Sequence, residues 1–219
     1  TTNLPLRLGI LIDTSNSERR GVQYLFEAAR DFARDMLRGT DDRVFFGSFN
    51  VKLLSTPWLD RGGIEHVAPQ RAPGEGTAIY DAIQEACKQM GDPDRNQPAR
   101  RVLVVISDGD DNQSHVSRLQ ATAEAVRSGT VIFGMFAVPG PYLSGPGEKV
   151  MEDLAKQTGG ETVSSLTREA PKGLAKISEL IRGLYLLIYV PISDPRSGEV
   201  EVKSATGEKL HFSIPEAVR

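Results

Sequence analysis

"LGILIDTSNSERR", residues 8–20, joins an apolar run to a polar one without a break. It opens on Leu8, Ile10, Leu11 and Ile12, the apolar pattern of a buried strand. It then turns polar, with Asp13, Ser15 and Ser17 at alternate positions. A core strand that ends in a carboxylate and two spaced hydroxyls has three readings: a helix cap, a catalytic acid, or one part of a metal site. "RVLVVISDGDDN", residues 101–112, repeats the design, an apolar strand running into Asp108. In open doubly wound sheets, ligands sit beyond the carboxyl ends of strands, where the strand order reverses. If the two strands are neighbours, Asp13 and Asp108 meet on one rim.

The elements between them fit such a sheet. From Val22 to Leu37 apolar residues recur at three- and four-residue steps, which predicts a long amphipathic helix stopped by Gly39. "RVFFGSFN" and "VKLLS" are two short strands with almost no loop between them, a hairpin, and Thr56 to Gly76 reads mostly as loop. "TAIYDAIQEACKQM" is helical, and a helix from about Val116 to Ser128 follows the second strand–carboxylate unit. "TVIFGMFAV", "GEKVMEDLAKQTG", "ETVSS" and "APKGLAKISELIRG" then alternate strand, helix, strand, helix. Continuous apolar strands alternating with helices predict an α/β fold: a Rossmann-like, doubly wound, mostly parallel sheet with helices on both faces. The tail breaks the rhythm. "LYLLIYVPI", "EVEVKSATG" and "KLHFSI" are strand-like without intervening helices, with a hairpin across Ala205–Thr206–Gly207–Glu208, so residues 184–219 are expected to form a short antiparallel β extension beside a domain of residues 1–183.

Composition narrows the function classes. The chain has 219 residues, enough for one large core, with 39% hydrophobic and 25% charged residues and a net charge of -3. Basic and acidic residues are mixed along the sequence, and no basic stripe points to nucleic acid. The single cysteine, Cys87, lies at helical spacing with Ile79 and Ile83 and reads as a buried inert thiol. The longest apolar runs are far short of a membrane span. Because the chain starts at Thr1, it is expected to be processed or cut from a longer protein, with a surface, periplasmic or secreted setting favoured over the cytoplasm.

A third element joins the two carboxylates at the predicted rim. "GEGTAIYDA" places Thr77 at the start of a helix, after a glycine-containing loop. Every marked group is an oxygen, with no thiolate or imidazole among them, which suits Mg²⁺, Mn²⁺ or Ca²⁺ and disfavours zinc.

Taken together, Asp13-x-Ser15-x-Ser17, Thr77 and Asp108 in "SDGDDN" resemble the three-part metal-ion-dependent adhesion site of von Willebrand factor A domains, in the same order and on the same kinds of element. The resemblance covers about residues 6 to 182. "GLYLLIYVP" after the last helix is similar to a bacterial subfamily with extra C-terminal strands. The resemblance implies that Ser15, Ser17 and Thr77 offer hydroxyls to the ion, while Asp13 and Asp108 act mainly through waters and by fixing those hydroxyls. Neutral ligands leave the cation seeking an anionic oxygen from outside. The implied function is therefore a divalent-metal-dependent protein-binding module, for adhesion or scaffolding, that captures an Asp or Glu of a partner protein. The alternative is a subunit of the same family that couples an ATPase motor to a client; no nucleotide-binding loop is present in the chain.

Plainer readings stand beside these. Ser15 and Ser17 suit a helix N-cap with Glu18 in the first turn, and Thr77 is itself a good N-cap, which need not exclude liganding. Asp110 and Asp111 read as solvated loop residues. "ERR" after Ser17 lacks the paired acids with which some integrin relatives hold an adjacent ion. His66, His115 and His211 form no spaced metal set, although His115 follows the acidic loop. Trp58 reads as a loop aromatic covering the core edge. "ILIDTS" resembles the entry to an aspartic protease site, but that chemistry needs two carboxylates sharing a proton in an all-β scaffold, and no second such motif appears. A dehalogenase-like phosphatase wants a second Asp two residues after the first, where Ser15 stands. A hydrolase is thus the remote alternative, and no enzyme activity is expected.

Overall fold

The computed structural model describes residues 4–15, 21–68, 70–71, 76–94, 96–138 and 145–185. Residues 186–219, all but the first two residues of the predicted β extension, and Ser17 lie outside them. Among the described residues the strands and α-helices follow in order: β1 (Leu6–Asp13), α1 (Val22–Met36), β2 (Arg43–Phe49), β3 (Leu53–Ser55), α2 (Ile79–Met90), β4 (Arg100–Ser107), α3 (Arg118–Arg127), β5 (Thr130–Val138), α4 (Pro146–Gln157), β6 (Thr162–Leu166) and α5 (Ala170–Arg182). The strand order is β3-β2-β1-β4-β5-β6. All neighbours are parallel except β2 and β3, the predicted hairpin, which pair antiparallel.

Alternation along the strands builds two cores. On β1, Leu8, Ile10 and Ile12 point to one face and pack with α1 and α5. Leu11 points to the other, with Ile79, Ile83 and Cys87 of α2, Ala121 and Ala125 of α3 and Leu154 of α4. Gly9 lies on this second face as well, where a Cβ would come within 2.6 Å of Phe45 and 2.7 Å of Leu103. The predicted α/β architecture is therefore the observed one, and β1 is buried on both faces as its unbroken apolar run requires. Cys87 is buried, and Trp58 packs edge-on against Phe45 with ring centroids 4.9 Å apart, at the margin of the second core. Among the described residues no helix is long and apolar enough to cross a membrane.

The strand order reverses at β1. The chain leaves β1 for β2 on one side and later returns through β4 on the other, which opens a crevice at the carboxyl ends of β1 and β4.

Candidate functional site

Register brings the marked carboxylate ends together. Ile12 pairs with Ile106, so Asp13 and Ser107 are the next residues on adjacent parallel strands. Both continue the alternation of Leu11 and Val105 and project toward the α2 side. There the Ser107 hydroxyl donates to Asp13 Oδ2 at 2.7 Å, and the Ser15 backbone N–H donates to Oδ1 at 2.9 Å. Asp13 is fully buried, while Asp108 is half-buried at the start of the following loop. Burial pushes the Asp13 carboxyl up to about 6; the hydrogen bonds from Ser15 and Ser107 oppose the rise, and the charge of Asp108 adds to it.

Hydrogen bonds then close a circuit around the rim. Thr14 donates through both its N–H, at 2.8 Å, and its hydroxyl, at 3.0 Å, to the carbonyl of Phe49 at the end of β2. The next residue, Asn50, offers its carbonyl to the N–H of Ala78 at 2.6 Å. Thr77 donates its N–H to Asn112 Oδ1 at 2.9 Å, and its carbonyl accepts from the N–H groups of Asn112 and Gln113 at 2.9 and 3.0 Å. The loop holding Asn112 returns through Asp108 to Ser107, and so to Asp13. One ring of contacts thus joins the ends of β1, β2 and β4 to the start of α2.

The capping readings of Ser15 and Thr77 give way here. The N-cap of α1 is Gly21, with no side-chain hydrogen bond, so Ser15 does not cap that helix. The N-cap of α2 is Ala78, not Thr77. Caps for α2 come instead from the loop after β4: Asp111 Oδ1 accepts from the N–H of Ile79 at 2.9 Å, and Ser114 Oγ accepts from Tyr80 and Asp81 at 3.1 and 3.3 Å. Asp111 is therefore not a solvated loop residue, as a local reading suggests, because a helix start 32 positions upstream has donors to satisfy. Asp110 is exposed as expected.

Sequence reasoning also missed the reverse clasp. Asp81 accepts from the N–H groups of His115 and Val116, each at 2.9 Å, and lies 2.9 Å from the His115 ring Nδ1. Partial burial raises the Asp81 carboxyl, but these bonds outweigh it and hold the group below the ordinary carboxylate value. His115 is thus a partner of Asp81, with its own side chain exposed.

Thr77 is buried, and among the described residues no hydrogen bond from its hydroxyl is made. The strand ends and loops joined here carry the Asp13 and Asp108 carboxylates and the Ser15 and Thr77 hydroxyls, all of them oxygen-bearing groups. Among the described residues no three His, Cys, Asp or Glu side chains gather as a metal cluster. Oxygen donors of this mixed kind fit a hard divalent cation.

Glycines set how closely the backbone approaches. Gly109 has φ +77, and a Cβ on it would sit 2.2 Å from the carbonyl oxygen of Gly147 in the first turn of α4. A Cβ on Gly147 would in turn meet the Asp108 carbonyl oxygen at 2.0 Å. Backbone therefore rests on backbone at this point, and the Asp108 loop is pressed against α4.

Residues 8–110 match the family model described as von Willebrand factor type A domain. The fold is shared with a von Willebrand factor type A structure from Catenulispora acidiphila, with a TM-score of 0.63 and 14% identity over 82% of this chain and 43% of that one. It is shared with an aerotolerance-related membrane protein from Bacteroides fragilis, with a TM-score of 0.57 and 18% identity over 82% of this chain and 100% of that one. Proximal thread matrix protein 1 from the mussel byssus, with zinc in its MIDAS motif, is a third, at a TM-score of 0.57 and 14% identity over 81% of this chain and 48% of that one. No curated protein matches the chain.

Proposed function

We propose, for a chain whose residues 8–110 match the von Willebrand factor type A domain, that the rim of β1 and β4 holds one divalent cation and through it binds an acidic residue of a protein partner. The observation that carries this reading is the hydrogen-bonded circuit, which holds Asp13, Ser15, Thr77 and Asp108 on loops that are distant in sequence and linked in space. Ser15 and Thr77, together with Ser17, would supply hydroxyl oxygens. Asp13, whose two oxygens already accept from Ser15 and Ser107, would balance charge and orient rather than surrender those bonds. Asp108 is the less buried acid and would do the same from the open side. A cation there reverses the local electrostatics, since the burial that disfavours an ionised Asp13 is offset by the positive charge beside it.

A bound ion would supply Lewis acidity that neutral hydroxyls leave largely unquenched, and a carboxylate from a partner would balance its charge. The proposed ion is Mg²⁺, with Mn²⁺ or Ca²⁺ as substitutes. The proposal is of a binder and not an enzyme: the Ser107 hydroxyl that meets the Asp13 carboxylate is fully buried with it and ties two strand ends together, out of reach of a substrate. A von Willebrand factor type A subunit linking an ATPase motor to a client would use the same rim. A signal sequence would favour the adhesive or scaffold role, outside the cytoplasm; a motor ATPase encoded alongside would favour the other.

The test is partner recovery from native extract with and without chelator, on wild type and on Thr77→Ala. Recovery is expected to need the ion and to fall in Thr77→Ala, with folding intact. Equal recovery in all four samples would place the binding face elsewhere.

A further inference from the structure

At the opposite end of the sheet, three arginines lie side by side. Arg7 on β1 is the register partner of Arg43 on β2 and of Arg101 on β4. Alternation places all three on the face occupied one step further along by Gly9, Phe45 and Leu103. Neighbouring strands run about 4.8 Å apart, so this is a row of like charges at the closest spacing a sheet allows. Sheets ordinarily place opposite charges at such positions, because like charges directly across from one another are destabilising.

Among the described residues none of the three forms an ion pair with a carboxylate. Their guanidinium groups rest on backbone carbonyls instead: Arg7 on Asp41 at 2.5 Å, Arg43 on Thr40 and Asp42 at 2.7 and 2.8 Å, and Arg101 on Asp92 at 3.0 Å. Each guanidinium has five N–H donors, so most remain unspent. The Nε of Arg101 is buried with no hydrogen-bond partner. Burial and the charge of Arg7 both lower the affinity of Arg101 for its proton, against Asp94 and Asp92, which raise it. The carboxylate of Asp92 is itself engaged by Arg127.

Arg7 and Arg43 form one wall of an open groove of about 450 Å³, shared with Pro5, Gln97 and Pro98, and among the described residues Asp41 is the single acid on its lining. The groove lies at the amino ends of β1, β2 and β4, whereas the rim described above is at their carboxyl ends. We infer that this groove binds a small phosphate-type oxyanion, held between the Arg7 and Arg43 guanidinium groups with Arg101 behind them. Two planar forks one strand apart match the several oxygens of a tetrahedral anion, and the anion supplies the charge that the row lacks. The ligand is either the free anion or the phosphate of a small ester whose remaining part fills the groove. The site owes nothing to the divalent ion.

The experiment titrates inorganic phosphate into the full chain by calorimetry at constant ionic strength with chelator present, with glycerol 3-phosphate in a parallel series. Saturable binding of one anion is expected. It should weaken about tenfold in Arg43→Lys, which keeps the charge and loses the fork, and vanish in Arg7→Gln/Arg43→Gln. Asp108→Ala, at the other end of the sheet, should leave it unchanged, so loss of the cation reading would not touch this one. Tighter binding of the ester identifies an esterified ligand, and equal binding identifies the free anion; either supports the site. If the double variant melts early, Arg43→Lys alone carries the test. No binding at millimolar phosphate, or binding equal in wild type and Arg43→Lys, overturns the inference.

Discussion

The hydroxyl of Ser107 donates to the Asp13 carboxylate at 2.7 Å, between residues 94 positions apart in the chain. The same oxygen of Ser107 accepts from the N–H of Gly109 at 3.0 Å, so a single serine ties the end of β1 to the turn that carries Asp108. Ser107→Ala removes both bonds and leaves Asp13 Oδ2 without that donor in a buried site. A loss of about 1–3 kcal/mol in stability is expected, with a divalent-ion affinity about 10–100-fold weaker. Chemical denaturation and calorimetry with Mg²⁺ check the two parts separately, and an unchanged ion affinity would remove Ser107 from the site.

Asp13 gives the ion-free protein a pH dependence with a definite sign. Its carboxyl is raised from the ordinary 3.8 to about 6 by burial, so the folded state holds the proton more tightly than the unfolded chain. Its contribution to stability is full below pH 3.8 and is lost as pH rises through about 6, a change of roughly 3 kcal/mol. In chelator, Asp13→Asn should flatten that limb of the stability–pH curve. Saturating Mg²⁺ should raise the wild-type melting temperature progressively with concentration. A melting temperature independent of millimolar Mg²⁺ would count against the cation reading.

The start of α2 depends on side chains from the other loop. Asp111→Ala removes the acceptor for the Ile79 N–H and for the Ser114 hydroxyl, at 2.9 and 2.5 Å. The expected loss is about 1–2 kcal/mol, in the range of a strong cap. Thr77→Ala, by contrast, leaves these caps in place and should cost little stability. Thermal melts of the two variants side by side decide it, and a larger loss in Thr77→Ala would reverse the assignment of the cap.

Gly147 tests the packing behind Asp108. A methyl group there would fall 2.0 Å from the Asp108 carbonyl oxygen, a contact with backbone that no side-chain rotation relieves. Gly147→Ala should destabilise by about 1–3 kcal/mol and weaken ion binding at the same time, because the loop must move. Gly62→Ala, at a glycine with φ -69 where a Cβ would meet nothing closer than 3.5 Å, serves as the comparison. A loss at Gly147 no larger than at Gly62 would mean that the close approach at Gly147 is without consequence.

The order and kind of nearly every described element were legible in the chain itself, because hydrophobic period is a local property. Leu8 to Ile12 and Val102 to Ile106 are apolar without interruption, and only a strand covered on both faces buries such runs. The sequence also placed Asp13 and Asp108 at strand ends, and the hairpin of β2 and β3 followed from spacing alone. Which strand lies beside which is a long-range choice. It took the pairing of β1 with β4 to set Ser107 against Asp13, and the packing of the loop after β4 on α2 to turn Asp111 from an apparent loop acid into a cap. The arginine row has the same origin: Arg7, Arg43 and Arg101 are scattered in a chain of mixed charge and become neighbours only through register. Local sequence determined what each segment would become, since helix and strand patterns act over a few residues. The sheet decided which groups would meet, since a parallel strand can draw its partner from anywhere in the chain.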